Sequence, residues 1–387
     1  MYSQTSNHLY LVSDQATSNI TPALDAMIRP DKVFLMVSSE MMRHAELLCT
    51  VLKEAAGVEV QLWTIDDAWD IEHVITRTME LLEQHKDDRF TLNATGGTRP
   101  MSIGAFQVFQ AYQQPVFYVH PQDDRLIWLY PRGQAAHQLA DRVRLPHFLL
   151  AQGYTVTSQG DVNVLPAYRE IAEHLIENID YFKKAITTLN WYAAHTADGK
   201  SSQLQPEHLR WDALLDLLDR LEMIDVLSYQ SKHLVFASNA AKHFVNGGWL
   251  EQYVYAELIQ ICQKIPEIQD IAQTLGLAKE SLGQTIHNEL DVAFLCNNHF
   301  YVIECKTSHW DRQSNQAGTE TLYKLDSLKD LLGGFSGQGM LVSYKSISAA
   351  DKHRAADLGI EVCDDHQLQD LRSRLIQWIT KTNLNTF

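Results

Sequence analysis

Residues 1–130 alternate between two kinds of segment, and that rhythm decides the fold class. Short apolar runs occupy His8–Ser13, Lys32–Ser38, Val58–Thr64, Arg89–Asn93 and Val116–His120. Between them lie stretches of helical period, near Ala16–Ile28, Ser39–Ala56, Ala68–His85 and Arg99–Tyr112. A run such as Val33-Phe34-Leu35-Met36-Val37 has no polar face, so it reads as a strand covered on both sides. Strand and helix in this order predict an α/β domain: a Rossmann-like parallel sheet with helices on both faces. Val116–His120 and Leu126–Tyr130 flank Pro121-Gln122-Asp123-Asp124-Arg125 and predict a hairpin at the sheet edge.

The pattern changes near Pro146. The chain has 387 residues, 45% of them hydrophobic, enough for two or three domains with cores of their own. A first domain is expected over 1–145, a helical middle module over 146–246 and a third domain over 247–387. In the middle, Tyr168–Leu189 reads as helix, Thr196–Gln205 as loop and Pro206–Ile224 as an amphipathic helix. Val226–Ser228 and His233–Ala237 follow, around Tyr229-Gln230-Ser231-Lys232. A winged-helix-like module and a plain helical spacer both fit this order. The third block holds a helix at Trp249–Lys264, strands at Leu290–Leu295 and Phe300–Lys306, and a helix at Thr319–Leu332. A strand at Gly339–Ser343, a helix at Ser348–Leu358, a strand at Ile360–Cys363 and a closing helical stretch complete it.

Chemistry concentrates in the third block. Asn288-Glu289-Leu290-Asp291-Val292-Ala293-Phe294-Leu295 and Phe300-Tyr301-Val302-Ile303-Glu304-Cys305-Lys306 read as a β-hairpin closed by Cys296-Asn297-Asn298-His299. Side chains alternate along a strand, so Glu304 and Lys306 share a face, as do Glu289 and Asp291. Charges at the ends of apolar strands are costly to bury without partners. Phosphodiester hydrolysis wants such a set. Asp291 and Glu304 offer hard oxygen ligands for Mg²⁺ or Mn²⁺, with the Cys305 carbonyl as a further ligand. Lys306 could orient or deprotonate the attacking water, or neutralise the transition state.

A second site is expected in the first domain. Asn93-Ala94-Thr95-Gly96-Gly97-Thr98-Arg99-Pro100-Met101 joins the fourth strand to a helix. Two glycines allow close approach of a ligand, and Thr98 is a plausible N-cap above amides that favour an anion. Ser13-Asp14-Gln15 and Ser38-Ser39 end neighbouring strands at the same rim, where open α/β sheets bind ligands. The chain lacks the glycine fingerprints of dinucleotide-binding domains and P-loop ATPases.

The hairpin resembles the PD-(D/E)xK nuclease superfamily, the fold of many restriction endonucleases. Asp291 matches its first acid and Glu304-Cys305-Lys306 its E-x-K; Glu251 fits the glutamate that family carries on a preceding helix. Leu290 stands where the family has proline. The Thr95–Arg99 turn resembles that of CARF (CRISPR-associated Rossmann fold) domains, with Arg99 in place of a frequent lysine. The two together resemble the CRISPR ancillary nucleases called Can and Card. That resemblance implies a homodimer, activated by cyclic tetra-adenylate or a close relative, which degrades or nicks DNA, with RNA as a further substrate, in type III CRISPR defence.

Other features weigh less. The net charge of −16, from 48 acidic and 32 basic side chains, argues against coating nucleic acid by bulk electrostatics. The five cysteines show no C-x-x-C spacing and read as reduced thiols. Neither a signal peptide nor an apolar run long enough for a bilayer is visible, so the expected place is the cytoplasm, with no membrane partner. Arg132…His137, Arg142…His147 and Arg169…His174 match the R-x-x-x-x-H of HEPN ribonucleases, a pattern common by chance. His287, His299 and His309 flank the hairpin and read as surface histidines, and Lys324 could meet a phosphate. A ligand-responsive transcription regulator would need a basic recognition helix. Asp212, Asp216, Asp219 and Glu222 make the middle helix acidic instead.

Overall fold

A computed structural model describes residues 6–384, apart from 198, 231, 282 and 308–316. Among these residues the strands form three sheets. The first contains β1 (Ser6–Leu11), β2 (Lys32–Ser38), β3 (Glu59–Ile65), β4 (Arg89–Asn93), β5 (Val116–Val119), β6 (Arg125–Tyr130) and β7 (His137–Gln138). Their order is β3-β2-β1-β4-β5-β6-β7. β1 to β5 pair in parallel, and β6 and β7 turn back antiparallel at the edge. Helices α1 (Thr17–Leu24), α2 (Met42–Val51), α3 (Ile71–Gln84) and α4 (Arg99–Ala111) cover the sheet. Tyr10, Val33 and Leu35 pack with Ile20, Leu48 and Val51, while Leu9, Leu11, Phe34 and Met36 pack with Val74, Leu81 and Phe109. Successive side chains thus enter opposite cores, which is why these strands carry no polar face.

Past β7 the chain departs from the expected pattern. α5 (Leu145–Ala151) and β8 (Thr155–Ser158) arise where the sequence shows no clear periodicity, and β8 pairs into the C-terminal sheet. The expected helix Tyr168–Leu189 is two helices, α6 (Pro166–Glu177) and α7 (Ile179–His195). They break at Asn178, whose amide donates to the His174 carbonyl at 3.0 Å and so competes with the helical ladder. The expected loop Thr196–Gln205 contains β9 (Ser201–Gln203). With α8 (Asp212–Met223), β10 (Leu227–Gln230) and β11 (His233–Phe236) it gives a helix–strand–helix–hairpin order and a small antiparallel sheet, β10-β11-β9. α8 buries Leu214, Leu217, Leu218 and Leu221 and leaves Asp212 and Asp219 in solvent.

The third sheet holds β12 (Ile268–Ser281), β13 (Gln284–Cys296), β14 (His299–Lys306), β15 (Gln338–Ser343) and β16 (Ile360–Asp364), in the order β16-β15-β14-β13-β12-β8. β13 is antiparallel to β12 and β14, whereas β14, β15 and β16 run parallel. Around it lie α9 (Asn239–His243), α10 (Trp249–Cys262), α11 (Ala317–Gly333), α12 (Ala349–Asp357) and α13 (Leu371–Leu384). One core joins Val292, Phe294, Tyr301 and Ile303 to α10, α13 and the helices α6 to α8, so the middle helices pack directly on the third domain. The opposite sheet face, with Leu295, Phe300 and Val302, shares a core with α5, α11 and the α2 side of the first sheet. Phe148 of α5 stacks on Phe300 with ring centroids 5.5 Å apart. Among the described residues no helix is long and apolar enough to cross a membrane.

Candidate active site and ligand loop

β13 and β14 place the predicted acids side by side. Val292 pairs with Ile303, so the next residues outward, Asp291 and Glu304, face each other across the ladder. Both are buried, at 8% and 3% exposure. The Asp291 Oδ2 accepts the Cys305 backbone N–H at 2.6 Å. Lys306 Nζ stands 2.5 Å from Glu304 Oε1, and the half-exposed Lys324, on α11, reaches the same oxygen at 3.8 Å. Glu251 enters from the first turn of α10, is buried, and accepts the Thr274 hydroxyl at 3.1 Å. Glu289 is exposed one alternation outward from Asp291, at the rim rather than in the buried cluster.

The electrostatics are lopsided. Burial, then the charges of Glu304 and Glu251, push the Asp291 carboxyl up to about 8, against the opposing pull of Lys306 and the Cys305 N–H. Burial alone would lower the Lys306 ammonium, but Glu304 and Asp291 hold it above the ordinary lysine range. Negative charge therefore exceeds what the chain itself neutralises at Asp291. The donors are hard carboxylate oxygens, so this set fits a divalent cation. Among the described residues, the contacts above engage Asp291 Oδ2 and Glu304 Oε1, which leaves the second oxygen of each for a ligand. The Cys305 thiol is buried and pushed well above its usual range by burial first, then by Asp291, Glu251 and Glu304. Any ligand role of Cys305 thus falls to its carbonyl. A tighter donor trio, Asp180, Asp365 and His366, lies within 4.8 Å on the surface. Lys183 already pairs with both aspartates, at 3.7 and 2.6 Å, so it reads as an ion-pair cluster.

Sequence reasoning missed His243. It ends α9, and its Nε2 lies 3.6 Å from Glu251 Oε2. The bond to Glu251 raises its imidazole pKa against the effect of burial, helped by the charges of Glu251, Glu289 and Asp291. The available signal was the doublet Gly247-Gly248. A Cβ at Gly248 would sit 2.7 Å from the His243 ring, and one at Gly247 2.7 Å from the Thr307 hydroxyl. Gly247 has φ 124°, which an L side chain resists.

At the other end, the Thr95–Arg99 turn caps α4. Thr98 Oγ1 accepts the Met101 N–H at 3.2 Å and donates to the Ala68 carbonyl at 2.5 Å. A Cβ on Gly96 would meet the Leu11 carbonyl oxygen at 2.2 Å, and Gly97 has φ 73°. Thr95 hands its hydroxyl to Asn93 Oδ1 at 2.6 Å and takes the Val119 N–H at 2.7 Å. Asn93 in turn donates to Asn19 at 2.9 Å, and Asn19 to the Leu11 carbonyl at 3.0 Å. The hydroxyls of Thr95 and Thr98, and the buried Met101 and Ser38, thus shape the rim from beneath. Asp14, Gln15, Ser39 and Arg99 are exposed on it, with Ser13 and Gly97 half-buried.

The remaining candidates separate cleanly. Arg169 is held by Glu173 at 2.9 Å and by the buried Glu257 at 3.1 Å, a structural ion pair. His287 is exposed, while His299 is half-buried, bonded to the Pro121 backbone and lowered by burial. His309 lies outside the described residues.

Fold and site define a Rossmann-like domain with a glycine-rich loop at the strand ends, fused to a restriction-endonuclease-like domain with a carboxylate–lysine cluster. Residues 8–148 match the family model of the Card1 CARF domain, and residues 238–382 that of the Card1-like endonuclease domain. The chain thus carries a CARF domain of the Card1 type followed by a Card1-like endonuclease domain. It is similar to protein VC1899 from Vibrio cholerae, with 28% identity, 97% of this chain and 98% of that one covered, and a TM-score of 0.87. It is also similar to Can2 from Sulfobacillus thermosulfidooxidans, solved in complex with cyclic tetra-adenylate: 26% identity, 97% and 99% covered, TM-score 0.79. A type III CRISPR defence DNA nuclease activated by cyclic oligoadenylate shares the fold at 18% identity, with 90% of this chain and 46% of that one covered and a TM-score of 0.57. No curated protein matches the chain.

Proposed function

We propose that this protein is a metal-dependent nuclease gated by cyclic oligoadenylate, with cyclic tetra-adenylate the first candidate. It acts as a homodimer on DNA, as single strands or by nicking duplex, and RNA is the second substrate to test. The carrying observation is the convergence of buried Asp291 and Glu304 with half-buried Lys306 on neighbouring strands. Support for the ligand comes from the Can2 likeness along nearly the whole chain.

Asp291 and Glu304 would hold Mg²⁺ or Mn²⁺, with the Cys305 carbonyl beside them. The bound cation supplies charge neutralisation at the phosphate and a more acidic water. Lys306 is kept protonated by Glu304 and Asp291, so its role is to stabilise negative charge developing on the phosphate rather than to take a proton. Lys324 extends positive charge toward the strand being cut. His243 and Thr274 fix Glu251, which completes the acidic wall. On the first domain, Arg99 and the amides at the start of α4 suit a phosphate, and Ser13, Asp14, Gln15 and Ser39 offer polar contacts around it. Gating follows if the ligand binds one arrangement of the dimer better than the other.

The test is cleavage of single-stranded DNA, supercoiled plasmid and RNA in Mn²⁺ and in chelator, by wild type and by Lys306→Ala. Wild type is expected to cut only with metal, and Lys306→Ala to cut about a hundredfold more slowly or less, with ligand affinity unchanged. Full activity in Lys306→Ala would overturn the site assignment.

A further inference from the structure

The turn that closes β13 and β14 is Cys296-Asn297-Asn298-His299, with Cys296 paired to His299. Asn297 and Asn298 both lie in the left-handed region, at φ 50° and 58°, the geometry of a two-residue hairpin turn. Glycine would serve that geometry as well as asparagine, so closure alone does not explain the side chain at 298. Asn298 is 1% exposed, and every polar atom of its carboxamide is engaged. Nδ2 donates to Asp124 Oδ2 at 2.7 Å and to Asp141 Oδ1 at 3.3 Å, and Oδ1 accepts from Gln269 at 2.6 Å. Its backbone N–H donates to the Gln269 carboxamide oxygen at 2.9 Å.

The far partner belongs to the first domain. Asp124 closes the β5–β6 hairpin, is buried, and accepts at Oδ1 from the Thr21 hydroxyl of α1 at 3.1 Å. Two residues before Thr21 on the same helix, Asn19 carries the bonds that hold Asn93 and the Leu11 carbonyl under the glycine loop. α1 itself begins directly after Ser13, Asp14, Gln15 and Ala16. At the near end, β13 is buried from Leu290 to Cys296 and β14 from Phe300 to Cys305. The two strands are paired along this buried stretch. Asp291 and Glu304 lie roughly 20 Å up that piece from Asn298, at strand rise per residue.

We propose that Asn298 is a positioning residue of the nuclease site: through Asp124 and Thr21 it ties the hairpin bearing Asp291 and Glu304 to the helix that starts at the ligand loop. The proposal rests on the ligand-gated reading above. It makes a buried, fully satisfied polar network the rigid joint between sensor and nuclease, where a half-satisfied one would be costly. Removing the side chain while keeping the turn should lower the stimulation by ligand, since coupling energies of this kind correspond to roughly 5- to 150-fold.

The experiment measures the ratio of cleavage rates with and without cyclic tetra-adenylate in Mn²⁺, together with ligand affinity, in wild type and three variants. Asn298→Gly retains the turn and should lower the ratio about tenfold with ligand affinity unchanged. Thr21→Val, a milder change at the other end, should lower it in the same direction. Asp124→Asn keeps an acceptor toward Asn298 and should preserve it. If the wild-type ratio is large and Thr21→Val and a folded Asn298→Gly match it, the tie is overturned and the ligand reading stands. If no cyclic oligoadenylate of any ring size stimulates the wild type, the ligand reading fails and the tie falls with it.

Discussion

At Asp291 burial and two neighbouring carboxylates hold the carboxyl near 8, and this has a consequence measurable without activity. In the metal-free protein the folded state keeps a proton that the unfolded chain releases at about pH 4. Stability therefore falls as pH rises from there, and the loss is complete above the folded value near 8. A divalent cation competes with that proton, so Mn²⁺ should raise the melting temperature by more at pH 8 than at pH 6, on the order of a few degrees at saturation. Asp291→Asn should abolish the pH-dependent part; an undiminished Mn²⁺ shift in that variant would place the cation elsewhere. At the other site, Gly96→Ala should destabilise the protein by about 2 kcal/mol or more, because the added carbon meets the Leu11 carbonyl, and thermal denaturation reads this directly. Asp291, Glu304 and Lys306 were legible in the sequence because strand alternation is local. His243 was not, because only the tight approach allowed by Gly248 brings it to Glu251.

Among elements, the ones hardest to read carry the joints. The apolar run of β2, and the apolar halves of β13 and β14, announce themselves by composition. β8 is a four-residue edge strand, Thr-Val-Thr-Ser, with no periodicity to find. β12 and the first part of β13 extend through the polar stretch Lys279–Glu289, which a hydrophobic pattern passes over although the ladder continues through it. Helix packing shows the same division. Buried Glu257 on α10 binds Arg169 of α6 at 3.1 Å and Arg372 of α13 at 2.5 Å, clamping three helices. Glu257→Ala should cost about 3 kcal/mol, since two arginines lose their buried partner. Arg169→Ala should likewise lower the melting temperature while cleavage by the folded protein persists. Loss of cleavage in a folded Arg169→Ala protein would instead revive the ribonuclease reading of Arg169 and His174.

For the molecule as a whole, the order of the parts could be read from the chain, but the way they share cores could not. Two of the three hydrophobic cores bridge segments that lie far apart in sequence, and contacts such as Phe148 on Phe300 leave no local trace. Those shared cores join the first domain to the third, a packed route along which ligand gating can travel. The decisive measurement is cleavage of single-stranded DNA and supercoiled plasmid by the pure protein in Mn²⁺, with and without cyclic tetra-adenylate. Cutting is expected to depend on the ligand and to disappear in Lys306→Ala. Equal cutting with and without any cyclic oligoadenylate would contradict the gating, and no cutting with any ring size would contradict the nuclease itself.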